Sequence, residues 1–226
     1  MSATRPRADA DGAGMTSQRT RARMVEKLRG LGIRDARVLE AMAAAPRHLF
    51  VDAALAHRAY EFDALPIGFG QTISHPFVVA SMIERVIAGR PMVGKMLEIG
   101  TGCGYQAAVM AGIAAEVYSV ERIKGLHEVA RANLRALRLS NLRLTYGDGR
   151  EGLEAAAPFD AIVVAAAGDG APPALLRQLA VGGKMILPVR PGGDAQHLLL
   201  VERRAHGFTE TVLDPVKFVP LEAGKA

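Results

Sequence analysis

A glycine-rich loop that directly follows a predicted strand is the first feature of the sequence able to do chemistry. Residues 97–105 have the sequence Leu-Glu-Ile-Gly-Thr-Gly-Cys-Gly-Tyr, so the strand leads into Gly-x-Gly-x-Gly and then into a predicted helix. Glycines permit a tight turn and allow a ligand to approach the backbone closely. Position 105 is a tyrosine, so the spacing departs from the Gly-x-Gly-x-x-Gly fingerprint of dinucleotide-binding proteins. This departure weakens the prediction of a dinucleotide site, and a simple turn remains the alternative to a ligand-binding loop.

Two acidic residues at the ends of the next two predicted strands extend this candidate site. Glu121 follows Gly100 by 21 residues, where a carboxylate can accept both hydroxyls of a ribose. Asp148 lies in a Gly-Asp-Gly segment and is placed to accept from an adenine amino group. The alternatives are a surface glutamate paired with a neighbouring base and an Asp-Gly turn. The chain has no Gly-Lys-Ser/Thr, so the features together predict an adenosine site without phosphate binding, which points to S-adenosylmethionine (AdoMet).

The segment 65–74 is a second candidate for ligand binding. It is too rich in glycine and proline to form a helix, and it ends where a predicted helix begins. The amides and the dipole at a helix N-terminus favour an anion, and Gln71, Thr72 and Ser74 add side-chain donors. A carboxylate is the anion that such a segment can hold. The alternative, which the pattern alone favours, is that Ser74 only caps the helix, with Pro76 in its first turn.

Alternating strands and helices are predicted to position these residues. Such alternation implies an α/β fold, a doubly wound and mostly parallel sheet with helices on both faces, which binds ligands at the carboxyl ends of its strands. The glycine pair 182–183 is expected to end the last helix. The predicted helices are 18–31, 34–45, 74–88, 105–114, 126–137 and 173–179, and the predicted strands are 95–99, 117–120, 142–146, 161–165, 184–189, 197–202 and 216–220.

The composition predicts a soluble protein with one folded domain. Half of the 226 residues are hydrophobic, and the single cysteine, Cys103, excludes an internal disulfide framework. No stretch is typical of a membrane span or a secretory signal, which favours a cytoplasmic location. Residues 1–15 are expected to be a disordered basic arm and residues 16–226 a single domain.

The net charge of +5 is concentrated at one end of the chain. Residues 1–29 contribute +4 of it, so the remainder is nearly neutral. A basic segment can contact nucleic acid, but no aromatic residue interleaves this one to stack on bases, so a solvated arm is favoured and no nucleic-acid partner is expected. The six histidines show no metal-ligand spacing, so no metal site is expected, and Cys103 is expected to be packed rather than reactive.

Together these segments resemble the protein-L-isoaspartate O-methyltransferase family over about residues 16–224. The glycine loop is shared with many AdoMet enzymes, whereas the Gln-Thr-Ile-Ser block at 71–74 is specific to the family. Four positions depart from the family pattern, and they bear on substrate preference rather than on the reaction; they are Cys103, His75, Leu153 and Val164. The matching segments are 46–51 (Pro-Arg-x-x-Phe-Val), 59–60, 64–68, 70–74, 97–106, 117–122, 147–149, 157–160, 178–179 and 218–221 (Phe-Val-Pro-Leu).

The resemblance implies AdoMet-dependent methyl transfer to the free α-carboxylate of L-isoaspartyl residues in damaged proteins. The methyl ester then loses methanol to form a succinimide, and hydrolysis of the succinimide can give normal aspartate, which is the repair. Ser74 matches the active-site serine of the family, which reverses the preference for a simple cap. The implied substrate-binding residues are Gln71, Thr72, Ile73, Val219 and Pro220, and the implied cofactor-binding residues are Glu98, Gly100, Thr101, Gly102, Gly104, Glu121, Asp148 and Gly149.

Two alternatives to this function remain at the level of the sequence. The enzymatic one is a small-molecule AdoMet-dependent methyltransferase, and the other is a regulatory module that binds AdoMet without consuming it. A methyltransferase acting on exocyclic base nitrogens is disfavoured, because residues 164–167 are Val-Ala-Ala-Ala rather than Asn/Asp-Pro-Pro-Tyr/Phe. The protein is expected to be a monomer.

Overall fold

A computed structural model describes residues 12–190 and 195–226. Most of the predicted arm, together with residues 191–194, lies outside the described residues. The helices are α1 (Gln18–Gly30), α2 (Ala36–Ala44), α3 (Pro76–Ile87), α4 (Tyr105–Ala111), α5 (Lys124–Arg135) and α6 (Pro173–Gln178). The strands are β1 (Leu65–Gly68), β2 (Gln71–Ile73), β3 (Val93–Ile99), β4 (Ala114–Glu121), β5 (Leu142–Tyr146), β6 (Phe159–Val164), β7 (Leu179–Val189), β8 (Gln196–Arg203) and β9 (Phe208–Val216).

Seven of these strands form one sheet in the order β5-β4-β3-β6-β7-β8-β9. The strands from β5 to β7 run parallel, whereas β8 and β9 add as antiparallel strands at one edge. The predicted α/β fold with a mostly parallel sheet is therefore confirmed. The chain passes from β3 to β4 on one side and later to β6 on the other side of β3. This reversal creates a switch point, where open α/β sheets bind their ligands.

Alternate residues of the central strands face two separate apolar layers. On β3, Met96 belongs to a buried cluster with Leu28 of α1 and Ile83 of α3, whereas Leu97 belongs to a second cluster with Leu175 of α6. Successive side chains of a strand point to opposite faces of the sheet, so neighbours in sequence reach different layers. Burial on both faces explains why the central strand β6 is apolar at all but one position.

The segment 65–74, for which the sequence excludes a helix, forms a β-hairpin. β1 and β2 pair antiparallel. The turn residues Phe69 and Gly70 both have positive φ, 54° and 68°, as the tight turns that match strand twist require. The Phe69 ring lies against α5, since a Cβ added at Gly125 would come within 2.3 Å of it. The hairpin therefore reaches from the start of α3 across to α5.

Two predictions near the antiparallel edge of the sheet are wrong. Helix α6 ends at Gln178, and the glycine pair 182–183 lies inside β7 rather than ending the helix. The last strand is β9, not 216–220; most of β9 is exposed on both faces, so its sequence lacks the apolar alternation of a half-buried strand. Pro220 has no N–H to contribute to a ladder, and it forms only an isolated bridge with Ala167.

The N-terminus of α3 is capped by His75 and not by Ser74. The backbone N–H of Phe77 donates to Nδ1 of His75 at 3.1 Å, and Pro76 follows in the first turn. Burial lowers the pKa of His75, which keeps the ring neutral so that Nδ1 can accept this bond. The pattern-based prediction of a Ser74 cap is therefore wrong, because the chain turns into the helix one residue later.

Replacing His75 by alanine is expected to lower the free energy of unfolding by about 1 kcal/mol, the usual value of an N-cap. Asparagine at this position can accept the same bond, so His75→Asn should retain most of the stability. Urea unfolding of both variants measures the difference. Ser74→Ala is the matched control; a loss of stability there, with none in His75→Ala, would contradict this assignment of the cap.

Candidate active site

A cavity opens at the carboxyl ends of β3, β4 and β6, at the switch point of the sheet. Its walls come from the β1–β2 hairpin, the glycine loop after β3, the end of β4 and the segment 219–222. The hairpin and the glycine loop thus face one shared space. The residues of the cavity wall that the sequence analysis singled out are Gln71, Thr72, Ile73, Ser74, Glu98, Gly100, Thr101, Gly102, Glu121, Gly149, Val219 and Pro220.

The carboxyl group of Glu98 is completely buried in the wall of this cavity. Ser119 donates a short hydrogen bond to its Oε2, and the hydroxyls of Ser119 and Thr101 lie 2.6 Å apart. The other oxygen, Oε1, is buried without a hydrogen-bond partner among residues 12–190 and 195–226. Burial raises the pKa of Glu98 to about 8, against the opposing effects of the neighbouring Ser119 and Gln106 side chains. The cavity therefore contains an unsatisfied acid that a donor group of a ligand fits.

The carboxylate of Glu121 is fixed in orientation by two backbone amides. Its Oε2 accepts from the N–H of Gly102 at 2.8 Å, and its Oε1 accepts from the N–H of Ile123 at 2.9 Å. Each carboxylate oxygen has two lone pairs, so both oxygens can accept a further bond from a ligand. The acid predicted at the end of β4 is thus in place and pre-oriented beside the glycine loop.

Two of the predicted cofactor-binding glycines are required by close packing. Gly104 begins α4 with φ of 93°, and a Cβ there would come 2.8 Å from Leu134. A Cβ on Gly149 would come 2.4 Å from Cγ2 of Ile99. Gly149 lines the cavity, whereas Gly104 lies outside its wall and shapes the loop from behind.

Asp148 lies outside the cavity wall and is engaged by backbone amides. Its Oδ1 accepts from the N–H of Arg150 at 2.8 Å and its Oδ2 from the N–H of Gly224 at 2.5 Å. Arg122 holds the same tail segment, through an ion pair of 2.7 Å with Glu222 and a bond of 3.0 Å to the Gly224 carbonyl. The contact of Asp148 with adenine stays a prediction. An adenine bound there would lie next to the tail segment 222–226.

Ser74 lies where β2 leads into α3, and it faces the cavity. Its carbonyl accepts from Nη2 of Arg47 at 2.8 Å, which fixes the main chain. Its hydroxyl makes no hydrogen bond within the described part of the chain. The carbonyl of Val219 accepts from the N–H of Ala167 at 2.8 Å, and this bond sets the segment 219–220 against the end of β6 as a further wall. The predicted substrate-binding residues therefore all line the same cavity as the glycine loop.

The groups that face the cavity can bind and orient a ligand, but they include no obvious nucleophile. Cys103 is buried, and burial raises the pKa of its thiol to about 11, so it remains protonated at neutral pH. Within residues 12–190 and 195–226, no cluster of three or more His, Cys, Asp or Glu side chains is arranged to hold a metal ion. The site is therefore suited to a reaction between two ligands that need neither a nucleophile nor a metal ion from the protein.

Sequence reasoning missed two residues that support this site, Ser119 and Arg47. Ser119 lies two residues before Glu121 on β4, and the two-residue period of a strand places both side chains on one face. That spacing was a usable signal for Ser119. Arg47 belongs to the family match at 46–51, but its burial could not be foreseen, because arginine is almost never fully buried in folded proteins.

Comparison with known proteins decides between the functional alternatives. A family model described as Protein-L-isoaspartate(D-aspartate) O-methyltransferase (PCMT) matches residues 19–226. The chain belongs to this family. It is an AdoMet-dependent protein-L-isoaspartate O-methyltransferase family enzyme, and the predicted function, enzyme class and cofactor are confirmed over the small-molecule alternative.

Relatives of this chain within the isoaspartate methyltransferase family align with nearly all of it. The protein-L-isoaspartate O-methyltransferase of Dechloromonas aromatica is 59% identical over 213 residues, which are 94% of this chain and 98% of the relative. That of Burkholderia lata is 61% identical over 219 residues, which are 96% of this chain and 70% of the relative.

Solved structures of the same family share the fold. One protein-L-isoaspartate O-methyltransferase superposes with a TM-score of 0.80 at 26% identity, covering 90% of this chain and 66% of that chain. A putative family member from Plasmodium falciparum, in complex with S-adenosyl-L-homocysteine, has a TM-score of 0.78 at 25% identity and covers 89% and 98% of the two chains.

No helix in the described residues is long and apolar enough to cross a membrane.

Proposed function

We propose that the two halves of the cavity hold the two reaction partners side by side, with AdoMet against the glycine loop and the isoaspartyl carboxylate beside Ser74. The observation that carries this proposal is that Ser74 and Glu98 line one continuous cavity. When bound, AdoMet supplies an electrophilic methyl group on a positively charged sulfonium. Gln71, Thr72 and Ile73 on one side, and Val219 and Pro220 on another, would bind the peptide chain.

The residues proposed to hold AdoMet fit its chemistry. Oε1 of Glu98 is a buried acceptor without a partner, which suits a cationic donor group. Glu121 is a fixed acceptor, which suits ribose hydroxyls. Gly100, Thr101 and Gly102 form the floor of the cavity, and Gly149 permits close approach at the end of β5. Asp148 is proposed for the adenine amino group beside the tail segment 222–226.

The role proposed for this chain's side chains is alignment. A carboxylate is already ionised at neutral pH, so the site needs no general base. Opposite charges are lost as the ester forms, and a site that excludes water and fixes both partners favours that change. The Ser74 hydroxyl, free of other bonds, donates to the carboxylate and sets its direction of attack.

The unpaired edge of β2 is proposed to bind the substrate as an extended strand. Among residues 12–190 and 195–226, β1 is the one strand that pairs with β2, so the other edge of β2 is available for backbone pairing with a peptide. Such pairing fixes the peptide backbone, so that only a residue with its carboxylate in the right position relative to the backbone can place it beside Ser74. This relation differs between isoaspartate and aspartate, because the chain of isoaspartate runs through the β-carbon.

Amide chemical shifts measured with S-adenosylhomocysteine and a short isoaspartyl peptide test this placement. We expect peptide-dependent shifts at residues 71–74 and 219–221, and much smaller ones with the matched aspartyl peptide. Shifts confined to other surfaces would contradict the placement of the substrate.

The active unit is proposed to be a monomer that works in the cytoplasm without a nucleic-acid partner. The chain has a single cysteine and so builds no internal disulfide, which suits a reducing compartment. Outside the first 29 residues the chain is nearly neutral, which offers nucleic acid little attraction.

A further inference from the structure

Arg47 is fully buried directly behind the candidate active site. It begins a short 3-10 turn, and none of its surface is exposed. Its Nε donates to the carbonyl of Ala59 at 2.8 Å, and its Nη2 donates to the carbonyl of Ser74 at 2.8 Å. The guanidinium also lies over the ring of Tyr105, 4.7 Å from its centroid, and Tyr105 itself lines the cavity. Arg47 therefore connects the hairpin end of the site to the glycine-loop end.

No carboxylate of the described residues neutralises this buried cation. Its hydrogen-bond acceptors are backbone carbonyls, none of the ion pairs among residues 12–190 and 195–226 includes it, and its Nη1 is buried without a hydrogen-bond partner in that part of the chain. An unpaired buried charge is costly, and buried charges are normally paired. The arrangement leaves a positive charge uncompensated next to a cavity whose substrate is an anion.

The charge of Arg47 affects His75 at the start of α3 and Cys103 in the glycine loop. Burial is the main reason that the pKa of His75 is lowered, and the positive charge of Arg47 lowers it further. Burial raises the pKa of Cys103 in the glycine loop, and Arg47 acts against that rise. A buried charge in low-dielectric surroundings is screened little, so it can act on groups that it does not touch.

We propose that Arg47 is a positioning residue that fixes the main chain of Ser74 and, through its uncompensated charge, makes the acceptor end of the cavity selective for an anionic carboxyl group. The attraction acts on the substrate carboxylate and disappears when methylation converts it to a neutral ester, so the charge favours substrate binding and product release. Because charge is lost toward the transition state, the charge of Arg47 acts mainly on KM, whereas its hydrogen bond to the Ser74 carbonyl acts on kcat.

This inference rests on the proposed placement of the substrate carboxylate beside Ser74. The first test therefore uses the wild-type protein, with S-adenosylhomocysteine bound and two peptides that differ only in an isoaspartyl carboxylate or its carboxamide. We expect the anionic peptide to bind at least tenfold more tightly. Equal affinities would overturn the proposal, even if the wild-type enzyme methylates isoaspartyl peptides normally.

Two substitutions separate the charge of Arg47 from its hydrogen bonds to the carbonyls of Ala59 and Ser74. Arg47→Lys keeps the charge but cannot make both bonds, so kcat should fall while KM stays within about twofold. Arg47→Met keeps the length of the side chain and loses both, so KM should rise at least tenfold and the preference for the anionic peptide should vanish. A folded Arg47→Met protein with unchanged AdoMet affinity and unchanged KM would overturn the role of the charge.

Arg21→Met is the matched control for these variants. Arg21 is also buried, but its guanidinium donates to the carbonyls of Ala43 and Ala44 at the end of α2 rather than to Ser74. Removing its charge should leave the preference for the anionic peptide unchanged. An equal loss of preference in Arg21→Met and Arg47→Met would show a general effect of buried charge and would contradict a specific role of Arg47.

Discussion

Replacing Ser74 by alanine is expected to lower the turnover of an isoaspartyl peptide about a hundredfold, because loss of alignment of about 1 Å costs on this order. The affinity for AdoMet should change little, since the glycine loop and Glu121 bind elsewhere in the cavity. The hydroxyl of Ser74 makes no hydrogen bond within the described chain, so its removal leaves no protein group unpaired. Steady-state kinetics with a short isoaspartyl peptide measures the loss.

The structure makes the Ser74 result easier to interpret than the sequence alone did. His75 provides the cap of α3, so Ser74→Ala should unfold at the same temperature as the wild type. Ser81→Ala is the control, because Ser81 is a buried serine on α3 that bonds Arg85 outside the cavity wall. Full activity of Ser74→Ala would transfer the carboxylate-holding role to Thr72 or to backbone amides.

AdoMet binding is expected to release a proton from Glu98. Burial raises the pKa of this carboxyl group to about 8, so it is largely protonated at pH 7 before the ligand binds. A cationic donor group favours the ionised form, so affinity should rise with pH and level off above about pH 8. Calorimetry at pH 7 in two buffers of different ionisation enthalpy measures the released proton.

Glu98→Gln should abolish this proton release and weaken AdoMet binding by about 1.5–3 kcal/mol, the value of a hydrogen bond to a charged group. The folded-state pKa lies above the ordinary value of 4.5, so protonated Glu98 stabilises the fold fully below that pH. This contribution is lost as the pH rises to about 8, and the Gln variant should not show the loss. Glu128→Gln, at an exposed position on α5, is the control. Unchanged affinity and proton release in Glu98→Gln would exclude Glu98 from the cofactor site.

The central sheet and the glycine loop were predictable from the sequence because their signals are local. The strand leading into Gly100–Gly104, and Glu121 at the end of the next strand, need only the order of elements and the rule that parallel strands bind ligands at their carboxyl ends. The hairpin was harder to foresee, since Phe69 occupies a positive-φ position where Gly or Asn is usual. Its conformation depends on packing against α5, which no local pattern reports.

The features of the site that the sequence did not predict depend largely on contacts between distant segments. Ser74 and His75 are adjacent possible caps, and local sequence alone does not decide where the chain turns into α3. Asp148 lies at the end of β5 as predicted, but its bond from the amide of Gly224, 76 residues further along the chain, could not be predicted from local sequence. Arg47 is buried through three carbonyls that come together only in the folded protein.

Transfer of tritiated methyl groups from AdoMet to a matched pair of peptides, identical except for isoaspartate or aspartate at one position, tests the central claim most directly. Label should enter the isoaspartyl peptide as a base-labile ester, and the aspartyl peptide should remain unlabelled. Continued incubation should convert part of the isoaspartyl peptide to the aspartyl form through the succinimide. Equal labelling of both peptides, or AdoMet binding without labelling of either, would contradict the account.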